Sequence, residues 1–332
     1  FLASQNPKAG SFKIDLRLQR HFTTLSPSEP KMDVISGIYY TILKNHFKDF
    51  KFKGFDKKQE EAVSEISQQI INASCKILDD IRKHKDFAPN AQKFHYQWNL
   101  REVARIVSGV LRSNNSYYKE FNPVYKLWYH ECNRVFKDRL KFVDDMKRYD
   151  DIVISTFDRE FKYIEQGDDK KPDKNSDLLI FVPFDENIDE EHNVLFEAAN
   201  FDVLKDYITR KLEEYNESKT EMNLVLFEDA IKHVCRISRI ISNPSSHALL
   251  VGVGGSGKQS LSRLAAFLKD INIMMPDLTA GEYDRTSLIN DLKILVTKSS
   301  VQGSNQYCFV MNDNHILEEF FLVYINNFLS SG

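Results

Sequence analysis

Hydrophobic residues follow two kinds of pattern along the chain, and the change from one to the other divides it. From 33 to about 165 the apolar positions recur at three- and four-residue steps. Val63, Ile66, Ile70, Ala73, Ile77 and Ile81 are the clearest run, and that period lines up one face of an α-helix. Asp56 is suited to cap its start. Trp98, Leu100, Val103, Ile106 and Val107 predict a second amphipathic helix, and 121–142 a third. Such a helical block, set between two mixed segments, reads as a lid or a bundle, and periodicity does not choose between them.

Residues 1–30 predict strand, turn, short helix and strand, with Asn6 and Pro7 at the turn and Pro27 and Pro30 closing the segment. The stretch 166–177 (QGDDKKPDKNSD) is polar and has no periodic face, so it is the best linker in the chain. The run LLIFV at 178–182, stopped by Pro183, is a buried strand or an apolar anchor. Helical patterns follow at 195–217 and 224–241. Then strand 248–253, helix 258–269, helix 285–298, strand 307–311 and helix 316–329 alternate as in an α/β domain.

Composition narrows the class. The 332 residues suffice for two domains, and 42% apolar with 28% charged residues is the balance of a globular protein with a core. A net charge of −3 gives no electrostatic reason to expect nucleic acid or an anionic membrane. No apolar run of about 18 residues is present, so no membrane-spanning helix is expected. Cys75, Cys132, Cys235 and Cys308 lie far apart without a CxxC pair, which favours a reduced compartment over disulfides. The opening FLAS is neither a leader nor an initiation site, and Gly332 follows an apolar pattern without a tail. Both ends read as cut from something longer.

The chemistry concentrates at VGVGGSGKQSLSRL, 251–264. An apolar run leads into Gly252, Val253, Gly254, Gly255, Ser256, Gly257 and Lys258, then into a helix. Glycines let backbone N–H groups turn inward around a phosphate, where a Cβ would block the approach. A helix N-terminus adds partial positive charge at that spot, and Lys258 reaches the terminal phosphates as a point charge. The expected ligand is ATP or ADP. One position departs from the pattern: a Ser or Thr hydroxyl for Mg²⁺ should follow the lysine, but Gln259 stands there with Ser260 next.

A phosphate-loop ATPase also needs an acidic pair after a later apolar strand, one carboxylate for the metal and one for the attacking water. The available strand, 307–311, runs into Asn312 and Asp313. Asn312 is a neutral stand-in for the metal-side carboxylate, and Asp313 is one methylene shorter than Glu. Gln259 and Asn312 are thus degraded Mg²⁺ ligands, and Asp313 a degenerate catalytic carboxylate. This combination predicts tight nucleotide binding with slow or absent hydrolysis; Mg²⁺ itself is only weakly supported.

At these residues the chain resembles axonemal dynein heavy chains, in the region from the third to the fourth AAA+ module. The loop with its unusual Gln, MNLVLFEDAIKHVCRI at 222–237 and CFVMND at 308–313 are similar to the fourth module. NPKAGSF at 6–12 and RLQRHF at 17–22 resemble the end of the third module's large subdomain, and FHYQWNLREV at 94–103 with LWYHECNRV at 127–135 its helical lid. The resemblance implies an α/β fold: a P-loop AAA+ large subdomain, truncated, preceded by the all-helical lid of the neighbouring module. Residues 1–30 would end the third large subdomain, 31–165 form its lid, 166–177 link, and 178–332 begin the fourth large subdomain. It further implies that Asn6 orients water near a γ-phosphate, that Arg17 or Arg20 is an arginine finger, and that Arg101 is the lid's nucleotide-sensing arginine. Phe181, Val182, Pro183 and Phe184 would lie near the adenine.

The implied function is the regulatory part of a microtubule motor of the ciliary axoneme. Its partners would be neighbouring AAA+ modules of the same chain and, through the whole protein, microtubules and other dynein subunits; nucleic acid and membrane are not expected. On its own the polypeptide should not hydrolyse ATP. Alternatives are a structural AAA+ scaffold module without an active nucleotide cycle, or a ring ATPase of the midasin-like type. The pairs His130 with Cys132 and His233 with Cys235 fall on different helix faces and do not suggest a metal. The lysines from 44 to 58 alternate with Phe47, Phe50, Phe52 and Phe55, a solvated edge beside buried rings rather than a nucleic-acid patch.

Overall fold

A computed structural model describes residues 15–26, 30–52, 59–161, 181–183, 195–197, 201–243, 246–278, 283–301 and 306–331. The expected strand at the start, the Asn6–Pro7 turn, the Asp56 cap and the linker 166–177 lie outside the described residues. The first described element, α1 (Leu16–Gln19), is a single turn capped by Asp15, whose carboxylate accepts from the Arg17 N–H at 2.8 Å. The strand expected before Pro27 does not form: residues 23–26 are irregular and exposed.

Five helices then build one core: α2 (Met32–Phe47), α3 (Gln59–Lys83), α4 (Leu100–Val110), α5 (Phe121–Val135) and α6 (Val143–Glu160). The α3 stripe Val63, Ile66, Ile70, Ala73, Ile77 and Ile81 is buried throughout, as its period requires. Helix α4 starts on a reciprocal cap. The Arg101 N–H donates to the Asn99 side chain at 2.8 Å, and the Asn99 N–H donates to Glu102 at 2.9 Å. Helix α5 buries Trp128 fully; its Nε1 donates to the Ser74 hydroxyl at 2.9 Å, and the rings of Phe157 and Phe161 pack around it.

The third predicted helix is shorter than its pattern. It ends at Val135, and a 3-10 turn, Lys137–Arg139, follows. The break turns Arg139 back to the buried Glu102 carboxylate at 2.8 Å and sets the Lys141 N–H on the Tyr96 hydroxyl at 2.8 Å. Those long-range bonds outweigh continued helix.

A second core gathers Val182, Ile208, Ile231, Val234 and Leu264. It lies among α7 (Phe201–Ser218), α8 (Glu228–Ile241) and α9 (Lys258–Phe267). Strand β1 (Phe181–Val182) pairs antiparallel with β2 (Phe196–Glu197), and its two buried side chains go to different cores: Phe181 to the helical one, Val182 to the second. That split follows from the alternation of a strand. Strand β3 (Asn272–Met274) pairs in parallel with β4 (Tyr307–Phe309), Asn272 opposite Tyr307 and Met274 opposite Phe309. Helices α10 (Arg285–Val301) and α11 (Phe320–Ser331) pack a small cluster around Tyr283, Leu288 and Phe321. The architecture is a helical unit followed by an α/β unit.

Two further segments differ from their patterns. Residues 248–253 are not a strand: no described strand pairs with them, and a ladder needs a neighbour. Leu249, Val251 and Val253 are 90%, 88% and 79% exposed, while Leu250 packs on the second core. The last helix begins at 320 rather than 316, because a 3-10 turn at 313–315 and the turn at 318–319 precede it. Among the described residues no helix is long and apolar enough to cross a membrane, no cluster of ligating side chains could hold a metal, and all four cysteines are free.

Candidate functional site

The glycine loop has the backbone that phosphate binding asks for. Gly255 and Gly257 stand at φ +77° and +74°, left-handed values that side chains resist. Gly257 is the N-cap of α9 and provides no capping side chain, so the first-turn N–H groups of α9 face outward without a side-chain acceptor at the cap. A Cβ on Gly252 would meet the Ser256 hydroxyl at 3.1 Å, and the Lys258 ammonium lies 3.9 Å from the same point. Lys258 Nζ donates to the carbonyls of Gly252 at 2.7 Å and Val253 at 2.8 Å, and to the Ser256 hydroxyl at 3.4 Å. The lysine therefore bridges the two ends of the loop and holds its cation within it. Loop residues 252–256 are exposed, and Lys258, Gln259 and Ser260 are half-buried.

Gln259 and Asn312, the positions expected on the metal side, stand at one edge of the parallel pair. The Gln259 amide donates to the Met275 sulfur at 3.4 Å, and Arg263 reaches the same sulfur at 3.5 Å. Met275 directly follows β3, whose partner β4 runs on into Asn312 and Asp313. Gln259 and Asn312 are thus both tied to the carboxyl ends of parallel strands, where α/β folds bind ligands. Their chemistry fits a hard cation poorly. The Gln259 amide nitrogen is engaged as a donor, and the Asn312 N–H is tied to the buried His315 Nδ1 at 3.2 Å while its carbonyl accepts from the His315 N–H at 2.9 Å. Mg²⁺ prefers anionic oxygens, and these two positions provide neutral amides. Asp313 is exposed in the first position of the 3-10 turn.

The remaining candidates are scattered. Arg17 and Arg20 lie exposed on and just after α1, with Arg20 Nε against the His21 ring at 3.3 Å. Arg101 is exposed in the first turn of α4, on the side of Arg105, where its charge adds to the repulsion felt there. Asn6 and Phe184 lie outside the described residues. Phe181 and Val182 are buried, 1% and 4% exposed, in the two cores, and the Pro183 carbonyl accepts from Lys269 at 3.0 Å.

Sequence reasoning missed a buried ionic group between the two units. Glu131 of α5 accepts from Arg134 and from Arg239 of α8, and is fully buried. A signal was present. Arg239 follows Ile231 and Cys235 at four-residue steps, and Glu131 falls between Trp128 and Val135, so each charge occupies an inward position of an apolar stripe. Burial works against ionised Glu131, yet Arg134 and Arg239 outweigh it and hold its carboxyl down at about 2.

Comparison with known proteins points the same way as the loop. Residues 222–332 match the family model described as the P-loop containing dynein motor region D4, and 70–170 match that of the AAA+ lid domain. The chain is 38% identical over 332 residues to the dynein alpha chain of the flagellar outer arm of Chlamydomonas reinhardtii, covering 100% of this chain and 7% of that protein. It is 37% identical over 335 residues to the beta chain of the same organism, covering 99% and 7%. Dynein axonemal heavy chain 17 of Homo sapiens is 37% identical over 335 residues, covering 100% and 7%. The chain thus spans about 7% of the length of these curated relatives.

Proposed function

This chain belongs to the dynein heavy-chain family, which it matches end to end, and from that premise we propose that it carries a nucleotide-holding site of the motor ring. The site is the 252–260 loop, placed in the fourth AAA+ module, with the third module's lid before it. ATP or ADP binds with its phosphates on the loop amides and Lys258, and turnover is weak or absent. The observation that carries the reading is the pair of left-handed glycines at 255 and 257 opening α9 beside a lysine already aimed into the loop. Weak turnover is supported by the neutral Gln259 and Asn312 at the strand ends, where a hydroxyl and a carboxylate would serve a metal. Within the longer protein, the segment regulates microtubule-based ciliary motility in the axoneme and contacts neighbouring modules, with Asn6 and Arg101 acting at the third module's site and Arg17 or Arg20 reaching the preceding module's nucleotide.

Two variants test it. Nucleotide retained through purification is expected to be lost in Lys258→Ala. Restoring Gln259→Ser with Asn312→Asp and Asp313→Glu in the full heavy chain, its other sites disabled, is expected to raise ATP turnover. Turnover on the order of tens per second from the unaltered site would sink the weak-hydrolysis reading. Equal retention by Lys258→Ala would sink the binding reading.

A further inference from the structure

The two apolar cores are separate clusters, and hydrophobic burial, which is non-directional, is a weak way to fix how they sit against each other. Among the described residues, β1 and a set of directional polar contacts cross between them. Glu131 Oε2 accepts from Arg134 Nε at 2.9 Å and Nη2 at 2.8 Å, both within α5. Its other oxygen accepts from Arg239 Nε at 3.2 Å and Nη2 at 3.1 Å, across to α8. Arg112, just after α4, donates to the Ser242 hydroxyl at 3.1 Å and the Asn243 side chain at 3.2 Å, at the end of α8. Arg239 Nη1 shares that Asn243 oxygen at 3.0 Å. Arg236 adds a pair with Asp138 at 3.1 Å.

One carboxylate therefore stands among three guanidinium groups, fully buried, with Arg239 only 3% exposed. Helix α4 comes so close that a Cβ on Gly109 would sit 2.0 Å from the Glu131 carboxylate. Burial and then the Arg239 charge lower the proton affinity of Arg112 to about 9, a sign of how little solvent screens the group. On the far side, the Ser238 hydroxyl donates to the Ala265 carbonyl at 3.2 Å, which ties α8 to the loop's own helix α9.

We propose that Glu131 is the positioning residue of this joint: its single carboxylate fixes the orientation of the helical unit relative to α8 and α9, and hence to the glycine loop. Both its oxygens are committed, one to each side, so it cannot be released from one partner without exposing buried guanidinium charge. Removing it turns the contact from attraction to repulsion among Arg112, Arg134 and Arg239 while leaving both apolar cores intact. The inference stands apart from the nucleotide reading and does not need bound nucleotide.

The test is a distance between the units in the complete chain. Spin labels are placed at Lys83→Cys on α3 and Glu213→Cys on α7, both exposed, in a Cys308→Ser background, and pulsed electron paramagnetic resonance reads their separation. One narrow distribution is expected without further change. Glu131→Gln is expected to broaden or shift it with helix content unaltered, and to speed amide exchange in α8 roughly a hundredfold relative to α3. Arg159→Gln, which removes an exposed pair with Glu160, should leave the distribution alone. A Glu131→Gln distribution that matches the parent, or a parent that is already broad, overturns the proposal. If Glu131→Gln does not fold, Arg239→Lys decides on the same scale, since it keeps the charge and loses the fork.

Discussion

Gly257 and Gly109 need to be glycine for opposite reasons. At Gly257 there is room for a Cβ, with Leu224 Cδ1 at 3.7 Å as its nearest neighbour, but φ is +74°. Gly257→Ala is therefore expected to weaken nucleotide retention while lowering stability by only about 1 kcal/mol, read by retention assay and urea unfolding. At Gly109 the backbone is ordinary helix, but a Cβ would overlap the Glu131 carboxylate. Gly109→Ala is expected to destabilise by about 1–3 kcal/mol as an overpacked site, with nucleotide retention spared; an unfolding midpoint equal to the parent's contradicts this. The first glycine was legible in the sequence because its neighbours form a motif. The second carried no local mark, since the reason for it sits 22 residues away on another helix.

Among elements, the start of α4 is the one most plainly written in local residues. Asn99 and Glu102 bracket the first turn of α4 at capping-box spacing, and both hydrogen bonds are made. Asn99→Ala is expected to lower stability by about 1 kcal/mol, and urea midpoints that do not move would contradict it. Helix ends and strands were harder. The pattern 121–142 read as one helix, yet Arg139 leaves it to meet Glu102, a bond no periodicity encodes. The apolar run 248–253 has the composition of a strand and lies without a described partner. A helix closes its own hydrogen bonds, whereas a strand depends on a neighbour supplied from elsewhere.

For the molecule as a whole, the joint gives stability a dependence on pH. Folded Glu131 binds its proton less readily than it would unfolded, because Arg134 and Arg239, with His130 adding to them, outweigh its burial. The stability it contributes is thus full above its ordinary value, 4.5, and is lost as pH falls toward about 2. Acid titration of the folded fraction is expected to show this loss in the parent chain. In Glu131→Gln that part of the slope should be missing, with lower stability already at neutral pH. An identical acid slope in both proteins would remove Glu131 from the account.

The sequence by itself determined the helical faces, the glycine loop with its lysine, the neutral side chains of Gln259 and Asn312 and the likeness to dynein heavy chains. Each of these is written within a few consecutive residues, where helical period, left-handed φ and side-chain chemistry act locally. Only the tertiary structure decided which charges meet. Glu131 and Arg239 are 108 positions apart, and many other acids and arginines had equal claim until the folding of two separate cores brought this pair together out of water.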